Sequence, residues 1–327
     1  MAKNPLSAGA IPDGVRRPRL SFQTVGLPLV LVALYVALSF TAPNFATLSN
    51  QLNILQSAAF VGIIAFGMTL VIIAGQIDVS VGSAVALSSA LLGVLTVTLG
   101  VPIYLAAIIV MIEGTAVGLF AGFLVARFGI PSFIVTLALF SALKGMALLI
   151  TNAYPVSIDD DSFLFLGSGK VLGVPVPAIL LIVAFLVFLF ISRRTTFGRS
   201  TYAVGGNAES ARLSGIPVAR VRILVLGITG LLAAVVGILQ SARLASGNPN
   251  IGSGLEFDAI AAVIIGGTSL FGGRGTMLGT LLGVLLITVL ANGMVLLGLN
   301  PYAQQVLRGA VVVVAVLVST LNNRRAS

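Results

Sequence analysis

The chain has 327 residues, of which 58% are hydrophobic and 8% charged, with a mean hydropathy of +1.14. A soluble domain carries roughly 25% charged residues, so this composition excludes one and specifies an integral membrane protein. The net charge of +9 does not imply nucleic acid, because Lys and Arg stand in short loops between apolar runs and build no basic face with interleaved aromatics. Cys and His are absent, which removes disulfides, thiol nucleophiles, thiolate metal sites and the commonest acid/base group and metal ligand.

A polar stretch, residues 1–25, precedes the run GLPLVLVALYVALSFTA. That run has no clear small-residue cleavage site and reads as a first span, not a cleaved signal. A span takes about 20 apolar residues. Further spans are predicted near 52–74, 80–99, 103–126, 131–151, 174–192, 221–243, 257–271, 276–297 and 302–320, after the first at 26–42. The expected fold is all-α, with about ten transmembrane helices in one domain over 26–321, between tails 1–25 and 322–327.

The basic residues set the orientation. Placing the first tail in the cytoplasm puts Lys3, Arg16, Arg17, Arg19, Arg127, Arg193, Arg194, Arg199, Arg212, Arg220, Arg222, Arg274, Arg324 and Arg325 inside. Lys170 and Arg243 are then outside, and Lys144 and Arg308 lie within spans. By the positive-inside rule both termini are expected in the cytoplasm.

Two loops are long. The outer one, 152–173, contains Asp159, Asp160 and Asp161 and reads either as a solvated loop or as a docking surface. The inner one, 193–222, contains GGNAESARLSGIPVARVR, too polar for a bilayer. There Asn207 is placed as an N-cap, Glu209 in a first turn, and Gly215 before Pro217 as a stop. The pattern predicts a surface helix over 208–214. So short a helix is marginal alone, and Ala211 and Leu213 offer it an apolar contact. It either rests on lipid headgroups or meets a partner.

LVIIAGQIDVSVGS is followed by LLGVL at 91–95, and AVIIGGTSLFGGRGT by LLGVL at 281–285. This echo suggests a parallel internal repeat of the kind transporters use. In IDVSVGS, Asp78, Ser80 and Gly82 mark a break between spans; the segment reads as a turn lining a pathway, as a cap of the third span, or as both. Glu113 sits in mid-span, as a proton relay or substrate contact on one reading and as a structural polar partner on the other. Gly114, Gly118 and Gly122 form a close-packing face. No GxxxxGK[ST] motif occurs, so no phosphate-binding loop of that kind is present.

TFGRSTYAVGGNAESARLSGIPV, GQIDVSVGS, GGTSLFGGRGTMLGTLLGVLL and NPYAQQVLRGAVV together resemble the permease subunits of ribose-type ABC importers over roughly residues 50 to 320. Ser210, Gln76 and Ala303 depart from the usual family residues. The resemblance implies a non-enzymatic, cofactor-free permease of the bacterial inner membrane that imports a monosaccharide or related small solute by alternating access. It also implies two ATP-binding cassette subunits, a second permease copy or sister permease, and a periplasmic sugar-binding protein as partners, with membrane lipid around the spans. The 208–214 helix then looks like the coupling helix, with Gly205, Asn207, Glu209, Ala211, Arg212, Leu213, Gly215 and Ile216 facing the ATPase. Asp78, Ser80, Gly82, Glu113, Gly266, Gly267 and Thr268 are pathway or gate candidates. A proton-coupled secondary transporter using Glu113 or Asp78 is the main rival. An intramembrane enzyme is the weaker one, since a catalytic constellation would have to come from Asp, Glu, Ser or Tyr.

Overall fold

A computed structural model describes residues 26–324; the tail expected at 1–25 and residues 325–327 of the one expected at 322–327 lie outside the described residues. In chain order the helices are α1 (Leu27–Thr41), α2 (Leu48–Ile73), α3 (Val81–Gly93, continued by a π-helical turn, Val94–Thr98), α4 (Ile103–Phe128), α5 (Ser132–Ile150) and α6 (Asp161–Ser168). They are followed by α7 (Val176–Arg194), α8 (Thr196–Gly206), α9 (Ala208–Leu213), α10 (Val218–Leu244), α11 (Leu255–Ile265), α12 (Met277–Leu296) and α13 (Pro301–Arg324). Seven of these, namely α2, α3 with its π turn, α4, α5, α7, α10 and α12, are long and apolar enough to cross a membrane.

The core forms around α2. Every residue from Ala58 to Ile73 is buried, which matches a helix that is apolar on all sides. Helices α7, α10, α11 and α12 pack around it. The closest pair is α4 on α10, where the predicted small-residue face does its packing: Gly114 meets the Gly230 carbonyl, Gly118 the Leu226 carbonyl and Gly122 the Ile223 backbone. Absent side chains let the two backbones touch, which dispersion and lipid release favour in a bilayer. At the edge, α1 rests its Leu38 on Gly293 of α12, and Asn50 and Asn292 exchange amide hydrogen bonds at 3.0 and 2.8 Å.

Two elements are broken. The apolar run expected to span at 257–271 forms instead the eleven-residue α11, and residues 266–276 are irregular. The physical reason lies in Gly267, Gly272 and Gly273, which take positive φ that an apolar-run reading does not register. Eleven residues rise about 16 Å, against the roughly 40 Å of the 27-residue α10. The other break separates α2 from α3. Its residues 76–80 are not helical, and α5 supplies their partners: Ile77 N–H donates to Ser132 Oγ at 3.0 Å and Val79 N–H to Thr136 Oγ1 at 3.2 Å. Non-helical backbone inside a bilayer persists only with such satisfaction.

The internal echo is visible in the two helix endings. Gly75 and Gly267 both have positive φ, +71° and +92°. Gly75 N–H donates to Ile72 O and Gln76 N–H to Val71 O; Gly267 N–H donates to Ile264 O and Thr268 N–H to Val263 O. Both are the same two-bond C-terminal motif. The LLGVL words do not correspond: 91–95 closes α3, whereas 281–285 lies near the start of α12.

The outer loop is folded, not merely solvated. Asp160 caps α6, its carboxylate accepting from Phe163 N–H at 3.0 Å and Ser162 Oγ at 2.6 Å, and these bonds hold its carboxyl below the usual range. Phe163 and Ile158 are buried against α4 and α10, and residues 156–157 pair antiparallel with 246–247. Asp159 and Asp161 remain exposed.

Candidate functional site

One group of predicted residues sits where α7 hands over to α10. Thr195 caps α8 by accepting from Gly198 N–H at 3.0 Å. Asn207 ends α8 and caps α9, its Oδ1 accepting from Ser210 N–H at 2.8 Å. The stop follows the predicted chemistry: Gly215 adopts φ +81°, and Ile216 N–H donates to Ala211 O at 3.0 Å. Arg212 grips Glu209 through Nε and Nη2 at 3.0 and 2.6 Å, which lowers the Glu209 carboxyl and raises the Arg212 guanidinium. Both are exposed, so the pair orders the helix surface more than it stabilises the fold.

Ala211 is buried and Ile216 half-buried, as a docked helix requires. Leu213 is not packed; it is 75% exposed, between the exposed Arg212 and Ser214. The expected apolar contact of α9 within the chain therefore reduces to Ala211 and Ile216, and Leu213 is left pointing outward.

Gly205 explains how this surface is fixed to the bundle. Its Cα lies directly against Ile73 O at the end of α2, with Gly273 N beside it. Gly273 N–H donates to Ile73 O at 2.9 Å, and Tyr202 of α8 donates to Gly275 O at 2.9 Å. The ends of α2, α8 and the 266–276 loop thus form one joint. Tyr202 lies in the stretch TFGRSTYAVGGNAESARLSGIPV that carries the resemblance, whereas its pairing with Gly275 could not be read from the sequence.

The second group lies inside the bundle. Asp78 Oδ1 accepts from Ser80 N–H at 2.9 Å and Ser80 Oγ at 2.6 Å. This local turn replaces the expected side-chain cap of α3, since Ser80, at the cap position, bonds back to Asp78. Gly82 packs against Glu256 and the Gly252 carbonyl, bringing the N-termini of α3 and α11 together. Gly266 rests on the Gly279 carbonyl, and Thr268 is fully buried with an unpartnered hydroxyl.

Glu113 stands apart. Ser88 Oγ donates to its Oε2 at 3.1 Å, and its Oε1 is buried without a partner. Ser88 is eight residues along α3 from Ser80, about 12 Å, so Glu113 and Asp78 do not share a site. Lys144 donates to Pro249 O at 2.6 Å, and Arg308 pairs with Asp258 at 3.2 Å. Ser132, Thr136, Glu256 and Asp258 were missed by the sequence reading. The acidic pair in LEFD, at the head of an apolar run, was the available signal. Among the described residues no cluster of three or more His, Cys, Asp or Glu could hold a metal.

A family model described as branched-chain amino acid transport system / permease component matches residues 50–316. A probable ABC transporter permease of Escherichia coli (strain K12) is 54% identical over 93% of this chain and 91% of its own. The ribose import permease of Bacillus subtilis (strain 168) is 43% identical over 90% and 92%, and the L-arabinose ABC transporter permease of Azospirillum brasilense 39% over 92% and 89%. No solved structure matches the chain. With its apolar multi-helix bundle and these similarities along nine-tenths of its length, the chain belongs to the branched-chain amino acid transport system / permease component family.

Proposed function

We propose that the protein is the translocating subunit of an ATP-driven importer that carries a monosaccharide, ribose- or xylose-like or a related small solute, into the bacterial cytoplasm by alternating access. In this reading ten elements cross or enter the inner membrane and both termini are cytoplasmic. ATP-binding cassette subunits meet α9, a second permease copy or sister permease completes the path, and a periplasmic binding protein delivers the solute. The pathway follows the buried break at Asp78, Ser80 and Gly82 and the turn at Gly266, Gly267 and Thr268.

The observation that carries the reading is α9 itself: a capped, stopped helix that exposes Leu213 and Arg212 and is fixed through α8 to the ends of α2 and the 266–276 loop. A surface helix resting on lipid needs no such joint. The first experiment is purification of the tagged chain in mild detergent with its native neighbours, followed by mass spectrometry. An ATP-binding subunit at near one-to-one stoichiometry is the expected companion, and a chain that purifies alone and transports on a proton gradient overturns the reading.

Gly215→Val forces a β-branched residue to positive φ, at a cost of about 1–3 kcal/mol. Substrate-stimulated ATP hydrolysis of the complex is expected to fall while membrane insertion is kept. Unchanged coupling would remove α9 from the ATPase interface.

The unpartnered Oε1 of Glu113 is what favours the rival proton-coupled reading. The importer reading expects Glu113→Gln to transport at near wild-type rate, because the amide still accepts from Ser88. Loss of uptake with normal assembly would restore Glu113 as a proton carrier.

A further inference from the structure

The geometry points to α11 as a rigid strut that carries movement from the α8–α9 end of the bundle to the interior junction, with Glu256 as the positioning residue at its far end. This rests on the importer reading. At its C-terminal end α11 is capped by Gly266, which lies on the Gly279 carbonyl, and the loop that follows is held to α2 and α8, where Gly273 N–H donates to Ile73 O at 2.9 Å and Tyr202 donates to Gly275 O at 2.9 Å.

At the other end Glu256 is 1% exposed. Its Oε1 accepts from Gly254 N–H at 3.2 Å, while Oε2 has no hydrogen-bond partner and abuts Gly82 in the first turn of α3. A Cβ at Gly82 would strike that carboxylate and come within 2.5 Å of the Gly252 carbonyl oxygen. The carboxylate therefore sits between two helix N-termini, those of α3 and α11, and both dipoles favour an anion there. A buried carboxylate is costly wherever such compensation is missing, so the position of Glu256 resists displacement.

Between the two ends α11 is about 16 Å of continuous helix, buried at Ala259 and from Ala261 to Ile264. Asp258, two residues from Glu256 and so on the other side of the helix, is held by Arg308 of α13. A shift of α8 against the 266–276 loop consequently arrives at Gly82 and at the extended segment 76–80. The end of α2, which Gly205 of α8 meets at Ile73 O, leads into the same segment from its other side.

The test uses the full complex in proteoliposomes and reads ATP hydrolysed per solute moved. Glu256→Gln keeps the side-chain size and removes the charge, and Gly82→Ala drives a methyl into the joint. Each is expected to raise the ratio by about tenfold, with ATPase subunits still co-purifying at wild-type stoichiometry. Phe257→Ala, half exposed on the same helix, should leave the ratio unchanged. The double variant Gly82→Ala/Glu256→Gln should be no worse than the worse single one, because both break one contact. Wild-type ratios in both single variants, or additive losses in the double, overturn the strut while leaving the importer reading standing. A wild-type complex without ATP-driven uptake overturns the importer reading and the strut with it.

Discussion

Gly205→Ala is expected to lower uptake by about tenfold or more, whereas Gly206→Ala, one residue along, is expected to be near neutral. A Cβ on Gly205 would land on Ile73 O and within 2.7 Å of Gly273 N, directly in the line of the hydrogen bond between those two atoms. A Cβ on Gly206 meets nothing within 4 Å. Overpacking against backbone costs about 1–3 kcal/mol, and a hydrogen bond broken without replacement adds about 1–3 kcal/mol. Nothing at this point yields easily, since all three neighbours are main chain. The Tyr202 bond to Gly275 would be displaced together with it. The measurement is uptake in cells matched for membrane content, with thermal stability of the detergent-purified chain alongside. Equal behaviour of the two alanine variants would mean that the approach of α8 to α2 is not what holds the α8–α9 surface in place.

The contrast between these neighbouring glycines also marks how far the sequence could be read. Local chemistry was legible: Asn207 caps α9 and Gly215 stops it because both effects are decided within four residues. The packing face of Gly114, Gly118 and Gly122 was legible for the same reason, since a helical period suffices to place three glycines on one side. Their partner, α10, was not, because the run from Val218 to Leu244 carries no mark of which helix it will touch. The half-length of α11 was hidden by composition, since hydropathy continues from Ile265 through Leu270 and Phe271 after the helix has ended.

The interior junction was the least legible part. Asp78 and Ser80 announced a break, but the atoms that make it tolerable, Ser132 Oγ and Thr136 Oγ1, lie 55 and 57 residues away from the N–H groups they satisfy. Glu256 and Gly82 are farther apart still in sequence. Each looks ordinary alone, as a first-turn acid and a small residue in an apolar run. Only their juxtaposition shows that a methyl would not fit.

Arg308→Leu is expected to destabilise the bundle by about 3 kcal/mol, the strongest effect we anticipate for a substitution outside the glycine contacts. Asp258 is 8% exposed, and Arg308 Nη1, at 3.2 Å, is its ion-pair partner. Removing the cation leaves a carboxylate in a low-dielectric interior, where an uncompensated charge is far costlier than the pair's own attraction is favourable. The pair also ties α13 to α11, so its loss frees the last helix from the strut. The paired variant Asp258→Asn/Arg308→Leu separates the two effects. If the stranded charge dominates, the double variant recovers most of the thermal stability of the detergent-purified chain. If the tie between α13 and α11 dominates, it recovers none, and Asp258→Asn alone is as damaging as Arg308→Leu. We expect recovery, because Arg308 is more than a third exposed at its side chain and the packing it contributes is correspondingly small.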